Sequence, residues 1–160
     1  MSTPLPVTPI PALTPYTCGL ACLESVFLDM GRPLSQSDML KQFYPFLLNP
    51  DPEHFHEYGS TTPNQIIGIC QHLGFKIVQT GQDFTEANCA TVFGDWLSKD
   101  VAVLIYSFWQ GKYHHCVRLS KILTTSEYEV VNPSLAHFDI TKVLFSDLVS
   151  WQFGYIAIGK

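Results

Sequence analysis

Three short segments carry residue types that together could perform acyl-transfer chemistry. The first is Thr17-Cys18-Gly19-Leu20-Ala21-Cys22-Leu23, which sets a cysteine where an amphipathic helix should begin. The others lie far downstream: Tyr113-His114-His115-Cys116-Val117 and Val131-Asn132-Pro133. A thiol at a helix N-terminus feels the positive end of the helix dipole, which lowers its pKa and favours the nucleophilic thiolate. A histidine can act as base toward such a thiol, and an asparagine oxygen can accept the other imidazole N–H and fix the tautomer. Cys18, His115 and Asn132 are therefore the candidate catalytic set. Read singly, each also has a plain structural role. Most free cysteines are small buried apolar residues. A histidine on a strand can simply be hydrogen-bonded, and Asn before Pro is a turn signal. Cys22 follows one turn later, between Ala21 and Leu23, and is assigned to the core. Strand alternation sends His114 and His115 to opposite faces, so only one can face Cys18, and periodicity alone leaves the choice open.

The elements that must position these residues are legible in outline. Leu20, Leu23, Val26, Phe27 and Met30 recur at helical spacing behind Thr17 as N-cap, and Gly31 and Pro33 end that helix. Ser35 or Ser37 caps a second helix with Met39, Leu40 and Phe43 inward. Thr62-Pro63 opens a third, which Gly74 closes. A fourth covers 86–97, and a last one is expected over 141–151. Strands are expected at 75–79, 101–106, 115–122, 127–131 and 155–158, and the stretch 49–62 reads as a long loop. Helices first and antiparallel strands later predict an α+β fold. Pro4, Pro6, Pro9, Pro11 and Pro15 make residues 1–15 an extended Pro-rich arm, either a free tail or a segment packed beside the site. Residues 16–160 are then a single domain.

Composition narrows the function classes. The chain has 160 residues, 46% hydrophobic and 14% charged, which suits one globular domain. A net charge of -5 with no Lys/Arg run argues against nucleic acid as partner. No apolar stretch approaches the roughly 20 residues of a membrane span. Five cysteines without framework spacing, and no secretory signal, point to a reducing compartment, so the chain is read as cytoplasmic where it is made. Export by a signal-independent route leaves no compositional trace. His54 and His56 form an HxH, and His114 and Cys116 share a strand face, but neither has the ligand spacing of a zinc site. No metal and no cofactor is expected, and the sequence carries no mark of an oligomeric state.

At these segments the chain resembles the papain-like bacteriocin-processing peptidase domains of peptide-exporting ABC transporters, which cleave leader peptides after a double-glycine site. The family's nucleophile motif runs close to D/E-C-G-x-A-C-L-x-M, matched here by Cys18-Gly19-Leu20-Ala21-Cys22-Leu23. Its histidine lies in an H-F/Y-V-V-L strand, matched by His115-Cys116-Val117-Arg118-Leu119, and its V-D-P segment by Val131-Asn132-Pro133. Leu73-Gly74-Phe75 and the segment 146–154 are also similar in kind, so the likeness runs from about Thr14 onward. The resemblance implies a papain-like cysteine peptidase fold, with N-terminal helices on a C-terminal antiparallel sheet. It implies a Cys18-His115-Asn132 triad, with His115 favoured over His114, and a peptide or protein substrate for a stand-alone hydrolase. Two departures stand out. The family's oxyanion glutamine, six residues before the nucleophile, is Ala12 here, and Asn132 replaces Asp. A peptide-binding module that has lost turnover, and an acyl transferase using the same thioester, are the alternative readings on this fold.

Overall fold

The computed structural model describes residues 4–14, 17–43, 62–82 and 84–160. Most of the predicted 49–62 loop, with His54 and His56, lies outside them, as do the first three residues of the arm and residues 15 and 16. Helices α1 (Cys18–Asp29), α2 (Gln36–Phe43) and α3 (Pro63–His72) come first. Strand β1 (Lys76–Gly81) and helix α4 (Glu86–Ser98) follow. The rest is β2 (Ala102–Trp109), β3 (Tyr113–Ile122), β4 (Glu127–Ser134), β5 (His137–Leu144), α5 (Phe145–Ser150) and β6 (Gly154–Gly159). The strands form one six-stranded sheet in the order β1-β6-β2-β3-β4-β5. Every pairing in it is antiparallel.

Both faces of the sheet centre are covered. Ala102, Leu104, Cys116, Ile156 and Ile158 pack with residues of α1, α2 and α3 on one side. Val103, Ile105, Val117, Leu119, Tyr155 and Ala157 pack with residues of α4 and α5 on the other. Strands buried on both faces read as continuous apolar runs rather than alternating ones, which is why 101–106 and 155–158 stand out in the sequence. Gly154 allows the tightest approach between central strands: a Cβ there would come within 2.3 Å of the Tyr106 ring. The β2–β3 hairpin closes through Gln110 and Gly111, with φ of 54° and 69°.

Local chemistry sets the helix starts. Thr62 and Gln65 form a reciprocal capping box, with Pro63 in the first turn of α3. Ser35 Oγ accepts from the Asp38 N–H and so opens α2. Thr17 differs from the expectation. It stands at the N-cap of α1 but makes no capping bond into the helix. Its Oγ1 instead accepts from Thr14 N–H at 3.0 Å and donates to Thr14 O at 3.2 Å, holding the turn from arm to helix. The helix expected over 141–151 is a correction as well. Residues up to Leu144 belong to β5, and only Phe145–Ser150 is helical. β-branched Ile140, Thr141 and Val143 pair across to β4, and that pairing outweighs the weak helical spacing.

The arm is fastened by a buried polar network. Arg118 on β3 donates to Asp29 on α1 at 2.5 Å, both side chains being 2% exposed. Arg118 also donates to Ser25 Oγ at 2.7 Å and to Pro6 O at 3.1 Å. Asp29 accepts from Thr8 N–H at 2.8 Å and from the Thr8 hydroxyl, and Ser25 donates to Thr8 O. Further along, Gln36 grips both sides of residue 12: its Nε2 donates to Pro11 O at 2.9 Å and its Oε1 accepts from Leu13 N–H at 3.0 Å. Removing one partner of a buried ion pair strands the other, typically at about 3–5 kcal/mol. Asp29→Ala and Arg118→Ala should each lower urea-unfolding stability by about that much, and limited proteolysis should then cut the arm first. A loss below 1 kcal/mol would show that the arm is held without this pair.

Candidate active site

Cys18 is the first residue of α1, is 3% exposed, and packs in the cluster that includes Cys22 and Cys116. Burial pushes its thiol up to about 12. Backbone hydrogen bonding from Cys116, Gly19 and Cys18 itself acts in the opposite direction and is outweighed. The lowered pKa expected from a helix N-terminus is therefore not what the structure has. Donors of the right kind are present, but desolvation of the sulfur wins. Cys22 lies deeper in the same cluster and donates to Cys116 O at 3.6 Å. All five cysteines are buried and free.

Of the two histidines, His115 is the buried one, at 8% exposed. Its Nε2 lies 2.5 Å from Asn132 Oδ1. An amide oxygen can only accept, so Nε2 carries the proton and Nδ1 is left with a free lone pair. Desolvation lowers the imidazole pKa, and the hydrogen bond that His115 donates to Asn132 offsets this only in part. The neutral ring is the resting form at pH 7. Trp109 covers His115 edge-on, with ring centroids 5.5 Å apart, and Tyr113 lies against it at 5.4 Å. His114 is exposed and meets Phe108. Asn132 sits within β4 and not in a turn. The β3–β4 ladder ends at Arg118↔Val131, so Pro133 beyond it costs no hydrogen bond on that side.

The chain thus brings Asn132 and His115 into direct contact. It sets Cys18 against the backbone of Cys116, the residue next to His115. Tyr113 belongs to the same cluster. Its ring packs on His115, and its phenol is raised chiefly by burial, and further by Cys18 once that thiol is ionised. Sequence reasoning gave Tyr113 no role; its position two residues before His115, on the same side of the strand, was the available signal. Ser107 was missed too. It pairs directly across from His115, and its hydroxyl is buried with no partner among the described residues. Ala12 is 3% exposed and locked in place: its N–H donates to Ser134 O and its O accepts from Ala136 N–H, both at 3.0 Å. The arm therefore runs beside the end of β4 that carries Asn132, with no side-chain donor at residue 12. Among the described residues no cluster of three or more His, Cys, Asp or Glu could hold a metal ion. No helix among them is long and apolar enough to cross a membrane.

No protein-family model and no curated protein sequence matches the chain. Its fold does have counterparts among solved structures. The peptidase domain of Streptococcus ComA, a bifunctional ABC transporter involved in a quorum-sensing pathway, superposes with a TM-score of 0.67. The match covers 96% of this chain and 99% of that domain at 13% identity. The α+β fold is accordingly that of a papain-like peptidase domain.

The lowered His115 pKa fixes the sign of one pH effect. The unfolded chain takes up this proton near 6.5, above the folded value, so unfolding is favoured as pH falls below about 6.5. Urea midpoints at pH 7.5 and 5.5 should therefore show an acid loss in the wild type that is smaller in His115→Gln. Equal losses in the two proteins would mean that His115 is not held neutral by the fold.

Proposed function

We propose that the protein is a cysteine hydrolase acting on peptides, with Cys18 as nucleophile, His115 as base and Asn132 as the residue that orients His115. The observation that carries this reading is the His115–Asn132 hydrogen bond, which leaves Nδ1 as the free base on the strand that packs against Cys18. The fold it shares with a peptidase domain supports it.

The electrostatics dictate the order of events. With the thiol raised and the imidazole lowered, the resting pair is neutral, so proton transfer accompanies attack. As Sγ bonds to the substrate carbonyl carbon, the thiol proton passes to Nδ1 and the C=O π electrons move to oxygen. The oxyanion then collapses, the C–N bond breaks, and the imidazolium returns its proton to the leaving amine. Water, deprotonated by His115, cleaves the thioester and releases the acid, and the proton returns to Cys18. Asn132 keeps Nε2–H engaged throughout and so holds the productive tautomer.

Two observations favour the second reading, a peptide-binding module: residue 12 offers no side-chain donor, and the thiol is deeply desolvated. Hydrolysis of a peptide library separates the two. Turnover should disappear in Cys18→Ala and fall by about 10²–10⁴ in His115→Ala, with His114→Ala close to wild type. Iodoacetamide near neutral pH, read by mass spectrometry, should label Cys18 before Cys22, Cys70, Cys89 and Cys116, and that lead should vanish in His115→Ala. Turnover that survives Cys18→Ala, or labelling led by another cysteine, would remove the hydrolase reading.

A further inference from the structure

We propose that Cys22 and Cys116 form a reversible disulfide when the protein meets a peroxide, tying the helix that begins at Cys18 to the strand that carries His115. The inference stands on packing and does not depend on the hydrolase reading.

Two faces bring the sulfurs together. Cys22 and Asp29 lie seven residues apart on α1, hence on one face of the helix. Cys116 and Arg118 lie two apart on β3, hence on one face of the strand. The Arg118–Asp29 ion pair turns these faces toward each other. Cys22 and Cys116 meet beside it, where the Cys22 thiol donates to Cys116 O at 3.6 Å. Two elements must touch this closely before a disulfide can join them without backbone movement. Both residues are 2% exposed and belong to one core cluster. The Cys116 thiol is raised, first by its hydrogen bond with the Cys22 thiol and then by burial, so the two side chains also meet sulfur to sulfur. Cys89 lies in the opposite core cluster and Cys70 on α3. Cys18, one turn before Cys22, is the competitor for Cys116.

The chemistry closes with peroxide as the oxidant. One thiol sulfur attacks the O–O bond, becomes S–OH, and a water leaves. The second sulfur attacks that sulfenic sulfur, the S–S bond forms, and the hydroxyl leaves with the second thiol proton as another water. Two thiols are oxidised and one peroxide is reduced to two waters. A neighbouring thiol traps the sulfenic acid before it is oxidised further. Burial and the raised Cys116 thiol make the pair slow, so it stays reduced until oxidant is sustained, and a dithiol reverses it by exchange.

The test treats the full chain with hydrogen peroxide, alkylates the remaining thiols in urea, and reads tryptic peptides by mass spectrometry. Wild type, Cys18→Ala, Cys22→Ala and Cys116→Ala are compared. Cys18 and Cys22 share a tryptic peptide, so Cys18→Ala identifies the partner of Cys116. The expected result is a Cys22 peptide joined to the Cys116 peptide in the wild type and in Cys18→Ala, absent from the other two, and released by dithiothreitol. The bond links residues 94 positions apart and so constrains most of the unfolded chain. Oxidised Cys18→Ala should therefore unfold at a urea midpoint higher by on the order of 1 M, a rise absent from Cys116→Ala. A joined peptide that disappears in Cys18→Ala assigns the bond to Cys18 and overturns the proposal. Thiols carried to sulfinic acid, or left free, with no joined peptide overturn it as well. So does a joined peptide that leaves the midpoint unchanged or lowers it, because the sulfurs would then meet only in a distorted chain.

Discussion

The Arg118–Asp29 ion pair is the constraint on which the candidate site depends. Arg118 stands on the strand of His115, three residues on, and Asp29 on the helix that begins at Cys18. The pair therefore sets the register between the two elements whose side chains would have to meet. By accepting from Thr8 and donating to Pro6, the same two residues also fasten the arm. Charges with side chains only 2% exposed are tolerable only when their hydrogen-bonding capacity is largely met, and the backbone of a proline-rich segment is a good source of carbonyl acceptors. An apolar triad of similar volume could match the stability, but nothing in its packing would demand one sliding position of helix on strand.

Around that frame the site is governed by desolvation more than by dipoles. Cys18 has the helix start and the backbone donors that usually favour a thiolate, yet its sulfur is buried and its pKa moves upward. His115 is shifted the other way by the same cause. Both shifts favour the uncharged state, and they reinforce each other. The aromatic wall of Trp109 and Tyr113 keeps bulk water from the imidazole, and Asn132 contributes a dipole where a carboxylate would contribute a charge.

Much of this was legible in the sequence, for identifiable reasons. The runs 101–106 and 155–158 are apolar on both sides because helices cover both faces of the sheet there, and such runs declare themselves. Thr62-Pro63 with Gln65 is a local signal that needs no tertiary context. β5 was not legible. Only Val143 in it is fully buried, so it has neither a clean alternation nor an apolar run, and Phe145–Ser150 lent its helical spacing to the residues before it. The Cys18 shift was hidden because a sequence shows the end of a helix but not the depth at which it lies. The arm's docking depends on Arg118, more than a hundred residues away, and single charged residues on strands give no hint of their partners.

The choice of asparagine at residue 132 has a consequence for how the site meets its surroundings. With a neutral thiol, a neutral imidazole, an amide and an un-ionised phenol, the cluster holds no formal charge at rest. Dissolved salt acts on fixed charges through screening, so such a centre presents almost nothing for ions to screen. Chemistry at this centre would then be indifferent to ionic strength. Any salt dependence would reside in the encounter between a charged peptide and a molecule of net charge -5.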